Sequence, residues 1–371
     1  QTIGRSFRYN GKDYRNLSLQ FTEPWRGGKR PSRLHFGISG SYYELPADID
    51  RYVDKEKRDK ERAKVPLFQN GRPTITKLLS NDQLLTKVYT LGLQLSLGTR
   101  LRWPDDYFFV NGSMSFLREA YEDYTPPGIK QKRGDGVIND IHASLSISRN
   151  SIDMPMYPRE GSVMEFYASI TPPYTLWSDD TSPFQPGKNT WKEYHKWLLS
   201  GTFYRELFHK CVVSLNGQAG FLGGFSSKKN IGPFKRFYMG GTTFNLRSFM
   251  GRENIALRGY PDSSIAPEDK EIGYKGGVVY QKVSAELRYP IIEESLCFIY
   301  GLAFAEAGNT WAKYSTCNPL ALKRSVGFGI RAQVVMLGEI GVHWGYGFDK
   351  SLKEGDANQL EFHVSMGGSA R

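Results

Sequence analysis

The sequence predicts an all-β fold, an antiparallel β-barrel of the outer-membrane type whose strands cross a lipid bilayer. Three observations carry this prediction. Segments in which apolar residues strictly alternate with polar or very small ones recur along the 371-residue chain. Many of these segments are longer than the ~5–6 residues usual for strands of soluble sheets. The links between them alternate between short and long, which is the plan of an outer-membrane barrel.

The alternation is clearest between residues 90 and 98. There, Leu91, Leu93, Leu95 and Leu97 alternate with Thr90, Gly92, Gln94, Ser96 and Gly98. Successive side chains of a strand point to opposite faces, so this segment has one apolar face and one polar face. In a transmembrane barrel the apolar face contacts lipid and the polar face lines the lumen. We therefore predict that Leu93 faces lipid and that Gln94 and Ser96 face the lumen.

The same reading along the chain gives about 14 strands. They are predicted near residues 2–10, 13–24, 31–43, 84–102, 107–124, 136–150, 160–174, 190–207, 211–224, 276–289, 295–307, 323–335, 338–348 and 358–367. The long links are 44–83, 125–135, 175–189, 225–275 and 308–322. One link departs from the pattern, because residues 10–12 form a short turn on the side of the long links.

Composition agrees with this fold class. The mean hydropathy is only −0.48, as expected when half of each strand is polar, and no run of about 18 apolar residues predicts a membrane-spanning helix. The net charge of +11 could indicate a nucleic-acid or anionic-membrane partner. However, the charges follow no single periodic face, and the mixed run Asp48–Lys64 is typical of a solvated loop. We interpret the charged residues as parts of solvated loops and predict no nucleic-acid partner.

The residues that carry most enzyme chemistry are scattered. The three cysteines, Cys211, Cys297 and Cys317, are odd in number and lack metal-ligand spacing, and the six histidines occur singly. No nucleophile is paired with a base in the sequence. We therefore predict no metal site, no cofactor, no catalytic residue and no enzymatic activity.

Several motifs carry a resemblance to a known family. They are LSLQFTEPW at Leu17–Trp25, YPREGS at Tyr157–Ser162, RFYMGG at Arg236–Gly241, LRGY at Leu257–Tyr260, VSAELRYP at Val283–Pro290 and FAEAGNTW at Phe304–Trp311. With these motifs in order, the chain resembles, over nearly its whole length, the barrel domain of BamA-type outer-membrane protein assembly factors. The specific part is the loop motif with the two strands that follow it. A second Leu-Arg segment, Leu246–Phe249, lacks the glycine after the arginine and ranks behind LRGY.

The resemblance implies that residues 225–275 form a long extracellular loop that folds into the lumen. Its tip would be Leu257, Arg258, Gly259 and Tyr260, and Arg258 would pair with Glu286 and Glu306 on the barrel wall. The alternation places Glu286 on the polar face of its strand. It places Glu306 in register with Phe298, Tyr300, Leu302 and Phe304, which are predicted to face lipid. Glu306 would therefore need a bulge or a position near the strand end to reach the lumen.

The resemblance also implies a function. Members of this family fold β-barrel proteins and insert them into the cell outer membrane, at a seam between the first and last strands of the barrel. The expected partners are unfolded outer-membrane β-barrel proteins, the lipid bilayer, and accessory lipoproteins or other subunits of an assembly complex. A related secretion pore of the two-partner type, which passes a polypeptide through the lumen, is the alternative, and the sequence does not separate the two.

The last strand, Asn358–Gly367, would form one side of the seam. We expect Leu360, Phe362, Val364 and Met366 to face outward and Gly367 to weaken strand pairing. Two features differ from the family. The family barrel has about 16 strands, whereas about 14 are predicted for this chain. The family barrel usually ends in an aromatic residue, whereas this chain ends in Gly-Gly-Ser-Ala-Arg. We therefore expect residues 1–371 to lack the first two strands and the preceding periplasmic POTRA modules, with Gln1 on the periplasmic side.

Overall fold

The structure is a computed structural model. It describes residues 2–10, 14–24, 32–46, 68–69, 72–73, 85–124, 134–176, 189–225, 231–232, 235–242, 253–269, 274–294, 297–334, 338–351 and 360–366. Regular structure in these ranges is almost entirely strand, with two short 3₁₀ turns at Tyr174–Leu176 and Tyr314–Thr316. No helix within the described ranges has the length and the apolar character needed to cross a membrane.

One large antiparallel sheet organises the chain, and each of its main strands pairs with the next in sequence. These strands are β1 (Thr2–Asn10), β2 (Tyr14–Glu23), β3 (Ser32–Pro46), β4 (Leu85–Arg100), β5 (Phe108–Tyr124), β6 (Gly134–Asn150), β7 (Gly161–Ile170), β8 (His195–Phe208), β9 (Cys211–Gly223), β10 (Val279–Glu293), β11 (Cys297–Trp311), β12 (Lys323–Val334), β13 (Gly338–Gly347) and β14 (Leu360–Met366). A short strand, Asn189–Trp191, pairs in parallel with β6. The predicted all-β class and strand set are confirmed, and the bounds differ by a few residues.

The two ends of the sheet are β1 and β14. Within the described residues, β1 pairs with β2 and β14 pairs with β13, and no hydrogen-bonded ladder joins β1 to β14. Each therefore presents one edge without a strand neighbour in this part of the chain. Such an edge carries a row of backbone donors and acceptors that another strand can use.

The two faces of β4 differ in chemistry as the alternation predicts. Leu91, Leu93, Leu95 and Leu97 are all exposed, and they lie beside exposed Phe36 and Ile38 of β3 and Met114 of β5. The opposite face carries hydroxyl pairs, such as Ser113 and Ser144, whose oxygens lie 2.7 Å apart. One face of the sheet is thus apolar, as a transmembrane barrel requires of the face that contacts lipid.

The predicted faces of β11 are wrong. Tyr300, Leu302 and Phe304 are buried, each 5% exposed or less, and they lie on the same inner face as Glu306. The outward positions hold Gly301, Ala303, Ala305 and Ala307. No bulge is needed for Glu306, since the register shift between β10 and β11 lies at Pro290 and Ile292, far from it.

The physical reason is that protein fills the interior at this strand, so the inner face is a packed core. The turn between β6 and β7 sends Tyr157 against Phe298, with ring centroids 4.6 Å apart, and against Tyr300 at 5.2 Å. Phe298 is therefore also on the inner side. Large apolar side chains gain more from this dry contact than from lipid, and alanine and glycine suffice on the lipid face.

We predict that Leu93→Arg destabilises the barrel. Leu93 lies in the middle of β4 on the exposed apolar face, and an arginine near the bilayer midplane costs about 2–4 kcal/mol. The unfolding midpoint in urea, followed by the heat-modifiable mobility of the folded barrel in lipid vesicles, measures this change. Gln94→Arg is the matched control, since it adds the same charge to the other face. A larger loss for Gln94→Arg would mean that the two faces are reversed.

Candidate functional site: the loop tip and the inner wall

The described part of the 225–275 loop has its own small architecture. Phe237–Met239 pairs in parallel with Glu253–Ile255, and isolated bridges join Met239 to Ile265 and Gly241 to Leu257. These segments share one hydrophobic core with the ends of β9, β10 and β11 that lie on the side of the long links. Its buried members are Tyr194, Leu222, Phe237, Met239, Ile255, Leu257, Tyr260, Ile265, Val278, Val279, Tyr280 and Trp311. The loop is therefore a packed element held against the inner wall.

The double glycine of RFYMGG lets the two loop segments meet. Gly240 and Gly241 have φ angles of +122° and +70°, in the region that favours glycine. A Cβ on Gly240 would collide with the Pro261 carbonyl oxygen, and one on Gly241 with the Asp262 carboxylate. The Gly241 amide donates to the Tyr260 carbonyl oxygen at 2.8 Å. The two motifs that are separated in sequence thus fold as one unit.

Arg258 lies between Glu286 of β10 and Glu306 of β11. Its Nη2 lies 2.6 Å from Glu286 Oε1 and 2.7 Å from Glu306 Oε1. Its Nε donates to Glu306 Oε1 at 3.1 Å, and its backbone amide donates to Glu306 Oε2 at 2.8 Å. All three residues are buried. The two carboxylates named from the sequence are therefore those that hold the loop tip, and Glu306 makes most of the bonds.

The guanidinium of Arg258 also lies over the ring of Phe304, with Cζ 3.7 Å from the ring centroid. A cation over an aromatic face is attracted by the ring quadrupole, more strongly when both are desolvated. Phe304 belongs to the face of β11 that the alternation assigned to lipid. Phe304 points inward and lies two residues before Glu306 on the same face of β11. Both side chains contact Arg258.

Glu286 is the centre of a larger charge network. Besides Arg258, it accepts from Arg288 Nη2 at 2.6 Å and from Arg331 Nη2 at 3.0 Å. Glu306 is 3.2 Å from Lys282 Nζ. Two buried carboxylates therefore face four cations, and the loss of one carboxylate leaves several positive charges in a region of low dielectric.

Gly259 rests on glycines of β13. Its φ is +86°, and a Cβ on Gly345 or Gly347 would come to 2.5 Å from the Gly259 backbone nitrogen or oxygen, respectively. The Gly259 amide donates to Nε2 of His363 in β14 at 2.9 Å. Sequence reasoning missed both contacts. The available signal was the glycines on one face of β13, Gly341, Gly345 and Gly347, which leave room for a close backbone approach.

Tyr260 anchors the other side of the tip. Its hydroxyl donates to the Arg324 carbonyl oxygen at 2.8 Å and accepts from the Asp349 amide at 3.1 Å. Arg324 Nη2 lies 3.1 Å from Asp349 Oδ1, and this side-chain hydrogen bond lowers the pKa of Asp349. Leu257 is fully buried in the loop core. The four residues of LRGY thus contact β10, β11, β12, β13 and β14.

A family comparison adds to this geometry. The family model that describes the Omp85 superfamily domain matches residues 1–369. This chain belongs to the Omp85 superfamily. The superfamily includes BamA and the CdiB secretion pores, and its members are outer-membrane β-barrels that act as transporters or insertases. No curated protein matches the chain in sequence.

Two solved structures show how far the likeness extends. BamA from Haemophilus ducreyi lacking POTRA domains 1–3 is 17% identical with a TM-score of 0.61, and the match covers 98% of this chain and 63% of that one. CdiB from Escherichia coli is 10% identical with a TM-score of 0.50, and the match covers 95% of this chain and 52% of that one. The chain thus spans less than two thirds of the length of either. At these identities the likeness shows a shared fold, and it is stronger for BamA.

A second polar cluster fixes this Omp85 loop at the side of the long links. Lys196 of β8 pairs with Glu253 of the loop and lies 4.8 Å from the Phe237 ring centroid. Nearby, Lys235 Nζ lies 3.9 Å from a carboxylate oxygen of buried Asp140 in β6. Burial lowers the pKa of Lys235, and the adjacent Lys192 lowers it further. The sequence analysis did not identify this cluster, because its members come from three separate segments.

The proposed seam strand is β14. Leu360, Phe362 and Val364 are exposed and face outward, whereas His363 is buried. The side chain of Met366, the residue Gly367, and the second Leu-Arg segment at 246–249 lie outside the described residues. Within the described ranges, no group of acidic residues, cysteines and histidines has the geometry of a metal site.

We predict that Glu306→Gln releases the loop tip. Breaking a buried ion pair costs about 3–5 kcal/mol, and Glu306 accepts most of the Arg258 bonds. Protease cleavage of the loop in folded barrels should increase. Glu286→Gln should in addition lower the urea midpoint of the whole barrel, because Arg288 and Arg331 lose their shared partner. Loops equally protected in Glu306→Gln and in the unmodified protein would contradict this role.

We predict that Gly345→Ala displaces the tip from β13. The new Cβ would lie 2.5 Å from a backbone nitrogen that cannot rotate away, and overpacking of this kind costs about 1–3 kcal/mol. Labelling with a water-soluble maleimide would report the displacement, with a single cysteine placed at the buried Ser264 of the same loop and the native cysteines Cys211, Cys297 and Cys317 replaced. Gly217→Ala is the matched control, since nothing lies within 4 Å of the Cβ it adds. Equal labelling in both variants would argue against the glycine contact.

Proposed function

We propose that this chain is the barrel domain of the central subunit of a machinery that folds β-barrel proteins and inserts them into the cell outer membrane. The observation that supports the proposal is the BamA-like barrel fold, with its loop tip bound between Glu286 and Glu306. Its last described strand, β14, has an edge that a further strand can join. A client strand can add to such an edge by β-augmentation, using backbone hydrogen bonds of the kind that hold the barrel itself.

The mechanism needs no catalytic residue. Pairing with β14 satisfies the backbone groups of a client strand, whose exposure in hydrocarbon would cost several kcal/mol each. Leu360, Phe362 and Val364 face outward, so a client strand in register would continue the same apolar belt. The proposed partners are unfolded outer-membrane β-barrel proteins, the bilayer, and accessory lipoproteins or other subunits of an assembly complex. The two additional strands and the POTRA modules expected from the resemblance stay predictions.

A related polypeptide-secretion pore is the second candidate. A polar cavity of about 1070 Å³ lies beside the loop tip and is lined by Arg258, Glu286, Arg331 and Glu339, among others. A secreted chain could pass through this space once the loop has moved. The stronger structural likeness to BamA than to CdiB favours the insertase.

Depletion of the protein in its own cells distinguishes the two candidates. We expect the folded forms of many unrelated outer-membrane barrels to decline together, because each requires insertion. Heat-modifiable mobility and quantitative mass spectrometry of outer-membrane fractions measure this change. Loss of one secreted polypeptide with normal barrel levels would reject the insertase in favour of the pore. Re-expression of the chain with its native flanking segments is the control.

A further inference from the structure

The hydrogen-bond pattern of β13 determines which backbone groups of β14 are unpaired. The Phe348 amide donates to the Arg324 carbonyl oxygen at 2.9 Å and continues the β12–β13 register. In an antiparallel sheet, successive residues direct their backbone groups to opposite neighbours. The even-numbered residues of β13 therefore bond to β12, and the odd-numbered ones bond to β14.

The register between β13 and β14 determines which backbone groups of β14 face β13 and which face away from it. His343 lies opposite His363, and Val342 lies opposite Val364. The His343–His363 pair is thus a hydrogen-bonded pair, whereas Val342 and Val364 direct their backbone groups away from each other. The carbonyl oxygen of Val364 points to the edge of β14 that has no strand neighbour in the described structure.

A side chain of the loop occupies that acceptor. The hydroxyl of Thr242 donates to the Val364 carbonyl oxygen at 3.0 Å, and Thr242 is buried. A strand that pairs along this edge needs the same oxygen for an amide of its own. The Thr242 hydroxyl therefore occupies one of the two acceptor positions of the oxygen to which an incoming strand would bond.

Hydrogen bonds connect Thr242 and its neighbour Gly241 to the loop tip. The neighbouring Gly241 exchanges backbone hydrogen bonds with Leu257 and Tyr260, at 3.1 and 2.8 Å, and Asn254 Nδ2 lies 3.3 Å from the Thr242 carbonyl oxygen. The Gly259 amide donates to Nε2 of His363, the neighbour of Val364 in β14, at 2.9 Å. The residues that flank Arg258 and the residue that contacts the edge thus belong to one hydrogen-bonded unit.

We propose that Thr242 caps the edge of β14 and that release of the docked loop uncovers Val364 for strand pairing. Thr242 is then a regulatory residue, which couples the position of Arg258 in the lumen to the availability of the edge. The inference rests on the proposed function, since an insertase uses this edge to bind its clients. It assigns the loop the task of blocking pairing until the loop is displaced.

The test compares Thr242→Val with Thr242→Ser in the full-length protein within its own outer membrane. Valine keeps the shape of threonine and removes the hydroxyl donor, whereas serine retains the donor. A photo-reactive phenylalanine analogue at Phe362, which faces outward next to Val364, reports strand pairing as the cross-link yield to an abundant client barrel protein. Heat-modifiable mobility of each variant shows that the barrel is folded.

We expect Thr242→Val to raise the cross-link yield roughly two- to tenfold, the range set by one net hydrogen bond, and Thr242→Ser to match the unmodified protein. Arg258→Ala, which undocks the tip, should raise the yield as well. Equal and measurable yields in all variants would overturn the capping role and leave the insertase standing. No cross-link in any variant, with Arg258→Ala included, would reject strand pairing at β14 and the capping role with it.

Discussion

A single guanidinium, that of Arg258, joins the long loop to two strands of the barrel wall. The interaction is strong because both carboxylates and the arginine are buried, and bonds between ionised groups are about twice as strong as neutral ones. It also creates a dependence, since a buried charge without its partner costs more than the pair contributes. The position of the loop tip and its contact with the last strand depend on this site.

The Arg258 site depends on the side chains of the inner barrel wall. Phe304 provides a flat surface for the guanidinium, and the glycines of β13 let the Gly259 backbone approach closely. These demands invert the usual pattern on β11, where aromatics are inside and alanines outside. The outer surface tolerates this inversion because lipid only requires apolar atoms there, whereas the interior requires a specific fit.

The same loop bears on two possible paths for a polypeptide. In its docked position it lies against the inner wall beside the polar cavity, and Thr242 contacts the edge of β14. Movement of the loop would therefore open the interior and expose the edge together. The proposed insertase would use the edge and the alternative secretion pore would use the interior, so movement of this one loop would serve either function. The difference would then lie in where the polypeptide enters.

The strands of the large sheet and the apolar face of β4 could be predicted from the alternation, because a period of two assigns side chains to opposite faces. The pairing of Arg258 with Glu286 and Glu306 came from the motif resemblance, since the alternation assigned the face of Glu306 to lipid, whereas Glu306 is buried. Which face of β11 is inside could not be predicted, since that depends on what fills the interior. The contacts of Gly259 with β13 and His363 and that of Thr242 with Val364 likewise became evident only in the folded chain. Each joins residues about 80 or more positions apart, and alternation within a strand carries no information about the distant segment that will pack against it.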